Sequence, residues 1–258
     1  MQLVFIEGVS GVGKTTLALK LHEKLNDMGC KTESYLEGNF MNPIDFYCTA
    51  YLKQNEYAAL IRDYSEFSHD IKDNTINAGD IRLIRYYNGE TPLFTEPLLG
   101  VLRKYEFCYK PINLVPFPEY TRVYKSVWEQ FAKRSSVQYD YMIFDGSLFH
   151  HPINDMMRNY EASCNQITCH INTLAEAVNP LRSRVIYLSS NDVAERLKKA
   201  HISRKQTAPS TEQVQFWQKR KQMDMIVIQH LSIPYNIYDI SQENWNEQIG
   251  TILNGLTL

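Results

Sequence analysis

Short apolar runs bounded by turn residues mark buried strands, and apolar positions three or four apart mark helices. Both signals are strong at the two ends of this chain. The run "LVFI", residues 3 to 6, reads as a first strand. Leu17, Leu21, Leu25 and Met28 then fall on one helical face, and Gly29 is placed to close that helix. Further strands are expected at "TESYLE" (32 to 37), "YDYMIFDG" (139 to 146), "SRVIYLSS" (183 to 190) and "YNIYDIS" (235 to 241). Helical patterns cover 153 to 178, 191 to 201, 211 to 231 and 243 to 254. Strands that alternate with helices require crossover connections, so the expected fold is α/β: three layers around a five-stranded, mainly parallel sheet.

The middle of the chain breaks this rhythm. Residues 45 to 135 carry weak strand signals and several helical stretches, and are rich in Tyr, Phe and Pro. Ten of the 17 tyrosines fall between 45 and 125, about double an even spread, so the stretch has a character of its own. The plain reading is a mostly helical insertion whose aromatic rings fill a core. The functional reading is a module that covers a bound substrate. With no internal repeat or low-complexity linker, the expected organisation is one domain, 1 to 258, carrying 45 to 135 as an inserted subregion.

Composition narrows the class without naming it. The chain has 258 residues, 44% hydrophobic and 22% charged, with a net charge of −2. That is enough chain for a sizeable core, and no basic excess points to nucleic acid. No apolar run reaches the length of a membrane span, and the first apolar run is the first strand rather than a leader. Cys30, Cys48, Cys108, Cys164 and Cys169 lack metal spacing and are read as reduced packing residues of a cytoplasmic protein.

One short stretch brings chemistry. "GVSGVGKT", Gly8 to Thr15, follows the first strand and opens the first helix, matching G-x-x-x-x-G-K-[ST]. Gly8, Gly11 and Gly13 allow a tight turn, in which backbone N–H groups of Ser10, Val12 and their neighbours converge on phosphate oxygens. Lys14 reaches the β- and γ-phosphates, the Thr15 hydroxyl is placed for Mg²⁺, and Thr16 continues the helix whose N-terminus favours anions. Four fixed positions with the correct flanks make a chance glycine turn a poor explanation.

With the strands placed, the chain resembles P-loop kinases of the nucleoside and nucleotide kinase group. Beyond the loop, "RVIYLSSNDVAERLKKAHISRKQ" (184 to 206) resembles the late strand and basic helix that lead into the lid of such kinases. "IPYNIYDISQENWNEQIGTIL" (233 to 253) resembles their closing strand and helix. "YLEGNFMNP" is similar to the same place in deoxynucleoside kinases and in chloramphenicol phosphotransferase-like kinases, where a carboxylate at a strand end activates the acceptor hydroxyl. Deoxynucleoside and thymidylate kinases usually carry an acidic-Arg pair after the third strand. Here that place reads "FDGSLFHHP", with no arginine at once. The resemblance implies an ATP-dependent kinase that uses Mg²⁺.

Three features are expected to meet beyond the carboxyl ends of the strands, where open α/β sheets collect ligands. They are the loop, Glu37 as the base, and Asp145 as the Mg²⁺ carboxylate. The plain alternatives are a turn residue for Glu37 and a turn cap for Asp145. Glu37 is expected to end a strand lying next to the strand that bears the loop. Arg204 is the expected lid cation, with Lys198 and Lys199 read as a solvated face. His150 and His151 stand as loop residues with an open option on substrate contact, and no third metal ligand is spaced to join them. Arg82, Arg85 and Tyr86-Tyr87 are candidates to clamp an acceptor or to pair at the surface. The leading reading is a kinase that phosphorylates a hydroxyl or phosphate of a nucleoside, nucleotide or antibiotic-like acceptor. The second is a regulatory NTPase that switches a partner, which the lack of an N-K-x-D motif and of a ring-ATPase arginine finger opposes.

Overall fold

A computed structural model describes residues 1–134, 138–241 and 245–257, with no account of the side chains of Asn246 and Thr257. In chain order the elements are β1 (Gln2–Glu7), α1 (Lys14–Asp27), β2 (Thr32–Tyr35), β3 (Thr49–Lys53), α2 (Gln54–Asp63), α3 (Ser68–Asp73), β4 (Thr75–Ala78), β5 (Ile81–Arg85), β6 (Tyr87–Asn88) and β7 (Thr91–Pro92). There follow α4 (Leu98–Lys104), α5 (Phe117–Arg134), β8 (Tyr141–Asp145), α6 (His150–Asn159), α7 (Cys164–Ala177), β9 (Arg184–Ser189), α8 (Val193–Ser203), α9 (Thr211–Gln229), β10 (Tyr235–Asp239) and α10 (Trp245–Thr257). The expected start of the last helix at 243 and the end of the insertion at 135 lie outside the described residues.

The chain divides into two compact units. The first holds Met1–Glu37, Ser135–Asn154 and Ala162–Leu258, and the second holds Gly38–Arg134 and Asp155–Glu161.

In the first unit five strands form a parallel sheet in the order β10-β9-β1-β8-β2. This is the α/β class the alternating pattern predicts. β1 is buried along its whole length, which is why it reads as an unbroken apolar run rather than an alternation. Val4, Ile6, Ile143, Ile186 and Leu188 face one way and pack with Leu17, Leu21 and Leu25 of α1 and Ile249, Ile252 and Leu256 of α10. On the other face Phe5 stacks on Phe144 at 5.5 Å, and the Tyr187 hydroxyl donates to Asp224 of α9 at 2.9 Å. Helices on both faces make the three layers.

Two sequence expectations change here. The single helix over 153 to 178 is two helices, α6 and α7. Glu161 takes a left-handed φ of 45°, and Ser163 caps a new helix by accepting the Gln166 N–H. That is the capping box "SCNQ", a stop-and-restart signal inside an otherwise helical pattern. The second correction concerns order: β8 lies between β1 and β2, so Glu37 does not follow a strand adjacent to β1.

The second unit contains a three-stranded antiparallel sheet in the order β3-β5-β4, a β6-β7 hairpin and four α-helices. Its aromatics mostly fill its own core. Tyr120, Tyr124 and Trp128 on α5 are buried, and Phe46 meets the Tyr124 ring edge-on at 4.5 Å. The Trp128 indole N–H donates to the Ile44 carbonyl at 3.1 Å.

Candidate functional site

The loop after β1 takes the conformation its glycines allow. Gly11 and Gly13 have φ of 83° and 90°, and a Cβ at either would strike neighbouring atoms, the Arg196 carbonyl oxygen at 2.6 Å and the Trp245 ring at 2.7 Å. Any side chain there would combine strain with a clash. Gly13 is the N-cap of α1 and no side chain caps that end, so the first N–H groups of the helix remain to bind an anion. Lys14, the first helical residue, is buried, and its ammonium donates to the Val9 carbonyl at 3.4 Å across the loop.

Asp145 ends β8 in register with Ile6, which carries its carboxylate to the foot of the loop. The Thr15 hydroxyl donates to Asp145 Oδ2 at 2.5 Å. The other oxygen, Oδ1, is buried without a hydrogen-bond partner. A buried carboxylate oxygen with no partner is costly unless a cation satisfies it. Beside a hydroxyl at a helix N-terminus, this oxygen-only donor set suits Mg²⁺. The expected Thr15 and Asp145 pair therefore fits the ion.

Glu37 reaches this place without being on a neighbouring strand. β2 stops at Tyr35, and the backbone N–H of Glu37 approaches Asp145 Oδ2 at 3.4 Å. Its carboxylate faces two imidazoles: Oε1 lies 3.6 Å from His150 Nε2 and 3.9 Å from His151 Nε2. The hydrogen bond with His151 is the main cause that holds the Glu37 carboxyl far below the usual range, assisted by His150 and Lys14 against the opposing effect of burial. Burial, then the Lys14 charge, push His150 well below its ordinary value.

Residues that sequence patterns did not single out fix this arrangement. Glu7, at the end of β1, accepts the backbone N–H groups of Leu148 at 2.7 Å and His150 at 3.0 Å. Burial raises its carboxyl to about 7. The His150 ring stacks on Trp217 of α9 at 5.2 Å. Arg220, fully buried on α9, donates to the His150 carbonyl at 3.2 Å and pairs with Asp224 at 2.7 Å. The signal for these residues is faint: α9 reads as an ordinary helix, and a Glu before a glycine loop reads as the end of a strand.

A cleft of about 370 Å³ opens above the loop. Gly11, Val12, Gly13, Lys14, Thr15, Thr16 and Glu37 line it with Arg196, Lys199, Ser203, Arg204 and Trp245. Gly8 and Ser10 belong to the loop but not to this lining. Arg204 is at the C-terminus of α8, exposed, on the wall where the lid cation is expected. Lys199, exposed like Lys198, also lines the wall, whereas Lys198 does not. Arg196 and Trp245 were not anticipated. In the second unit Arg85 donates to the carbonyls of Phe40 at 2.7 Å and Asn42 at 2.5 Å, and Arg82 to those of Gly79 and Ile81. Both guanidinium groups fasten their own backbone.

Among solved structures the chain is similar to a deoxyadenosine kinase from M. mycoides with bound dATP, at 13% identity and a TM-score of 0.44 over 100% of both chains. It is also similar to a shikimate kinase from Acinetobacter baumannii in complex with shikimate, at 10% identity and a TM-score of 0.39 over 99% of this chain and 92% of that one. No family model matches the chain, and no curated protein matches its sequence.

Proposed function

We propose that this protein is a P-loop phosphotransferase that moves the γ-phosphoryl group of ATP to a hydroxyl or phosphate of a small-molecule acceptor. One observation carries the reading. The Thr15–Asp145 pair, with its partnerless buried oxygen, sits beneath the glycine loop, and a second carboxylate, Glu37, lines the same cleft as Lys14. A nucleotide binder needs only the first part. The second part is what transfer to a hydroxyl adds.

Each residue has a share. Backbone N–H groups from Gly8 to Thr16 cradle the phosphates, and Lys14 neutralises charge on the transferring group. Thr15 and Asp145 would hold Mg²⁺, which when bound would supply Lewis-acid neutralisation of phosphate charge. Arg204 and Lys199 add cations from the α8 side, and Trp245 with Arg196 offers a flat wall suited to a base. Glu37 takes the proton of the acceptor hydroxyl. Its low proton affinity suffices because the transition state of phosphoryl transfer is loose and the hydroxyl proton leaves late. Asp145 is the poorer candidate for base, since its carboxylate is engaged by the Thr15 hydroxyl and would be engaged by the ion that pair holds.

The second unit is proposed to cover the acceptor. Support comes from connectivity: the chain enters that unit directly after Glu37, and enters it again within α6, the helix that begins at His150.

The test pairs two variants. Glu37→Gln is expected to keep Mg·ATP affinity and lose transfer by at least about a hundredfold, the usual worth of a general base. Asp145→Asn is expected to weaken Mg·ATP binding itself. Normal single-turnover transfer by Glu37→Gln would return Glu37 to a turn residue.

A further inference from the structure

Glu37 lies more than a hundred positions from His150 and His151 in sequence, yet one ligand atom from each of the three lies within 4.8 Å of the other two. The sequence offers the tandem histidines no third ligand; the fold does. The donor set is two imidazoles and one carboxylate. It is chemically distinct from the oxygen-only pair of Thr15 and Asp145.

We propose that these three side chains form a second cation site, selective for a transition metal of the Zn²⁺ type over Mg²⁺. Nitrogen ligands favour Zn²⁺, Co²⁺ and their neighbours, whereas Mg²⁺ prefers oxygen and keeps its water. Three protein ligands with the fourth position open is the composition of sites that hold a metal and still admit water or substrate. The separations fit as well. Metal–ligand bonds of about 2.1 Å at tetrahedral angles place ligand atoms about 3.4 Å apart. Glu37 Oε1 stands 3.6 Å and 3.9 Å from the two Nε2 atoms, close to that spacing.

Two further features support the site. Metal-binding imidazoles commonly donate their second ring N–H to a carbonyl, which fixes the tautomer. His150 Nδ1 lies 3.3 Å from the Gly8 carbonyl oxygen, and once Nε2 binds an ion, Nδ1–H can donate there in place of accepting from Lys14 at 3.4 Å. The ring is then held by its stack on Trp217 and by Arg220 on its own carbonyl. Both histidines are buried while Glu37 is half-exposed, so an ion has a route in. Two positive charges oppose an ion here: Lys14, whose ammonium lies 3.4 Å from His150 Nδ1, the ring nitrogen that is not the proposed ligand, and Arg220, which is paired with Asp224. An ion held here engages the carboxylate assigned above as base, so metal loading and phosphoryl transfer exclude one another. Binding of the ion does not depend on that assignment.

The experiment uses the full chain, freed of metal by chelation and without nucleotide, titrated with Co²⁺ and read by visible absorption. The expected result is a saturable band of four- or five-coordinate Co²⁺, displaced by Zn²⁺ and unaffected by excess Mg²⁺. Loss of one ligand should weaken affinity by at least about tenfold, the lower bound seen even when outer-shell partners of metal ligands are removed. That loss is expected in His151→Ala and in Glu37→Gln, whose half-exposed position makes it the safer variant for folding. Asp145→Asn should keep the band. The proposal is overturned by absence of a band in the wild type, by equal affinity in Glu37→Gln, or by loss of the band in Asp145→Asn, which would place the ion at the Mg²⁺ pair.

Discussion

Lys14 and Asp145 do different work within one small volume, and single substitutions separate them. Lys14→Ala removes the ammonium without disturbing a glycine or a core contact, because its hydrogen-bond partners are a loop carbonyl and a histidine nitrogen. ATP affinity should fall by at least about tenfold, or roughly 1.4 kcal/mol, the scale of one charge-assisted bond. Isothermal titration measures it, and an unchanged isotherm would remove the loop from the account. At this scale the sequence was readable where a motif states its own chemistry. The eight residues from Gly8 to Thr15 and the Asp after "YMIF" stand where the pattern places them, at the end of β1 with the start of α1 and at the end of β8. The setting of Glu37 was not readable, because it depends on His150 and His151, which only the fold brings to it.

The elements around the site are held by a buried polar frame. Arg220 and Asp224 are both fully buried on α9, and Asp224 also accepts the Tyr187 hydroxyl from β9. Burial raises the Asp224 carboxyl, and the Arg220 charge opposes that rise. Removing one partner leaves a buried charge unpaired, at a cost of about 3–5 kcal/mol. Arg220→Met should therefore lower stability in urea by that order. Adding Asp224→Leu should recover much of the loss, since neither charge then remains buried. If the double variant were no better than the single, the pair would not be the frame. The strands and helices of the first unit were readable because parallel strands buried on both faces are short apolar runs. The helix break before Ser163 was missed because apolar spacing continues across it. The antiparallel sheet of the second unit was obscured for another reason: β3 and β5 are five residues each and carry Lys53, Arg82 and Arg85 among their apolar positions.

At the scale of the whole molecule, the chain passes from the first compact unit to the second directly after Glu37 and again after Asn154. If the second unit covers the acceptor, its amides should gain hydrogen-exchange protection only when nucleotide and acceptor are bound together, because closure excludes water from the transfer step. Protection confined to α8 and the residues after it would make the second unit a structural appendage. No helix among the described residues is long and apolar enough to cross a membrane. The central claim is that the loop, the Mg²⁺ pair and Glu37 act together to transfer a phosphoryl group rather than to hydrolyse ATP as a switch. The most direct measurement is ADP release from Mg·ATP, followed with and without a panel of nucleosides, nucleotides and hydroxyl-bearing natural products. A transferase of this kind gives slow release alone, marked acceleration by one acceptor class, and phosphorylated acceptor in equal amount to the ADP formed. Release that no acceptor accelerates, with all phosphate recovered as the inorganic ion, would contradict it.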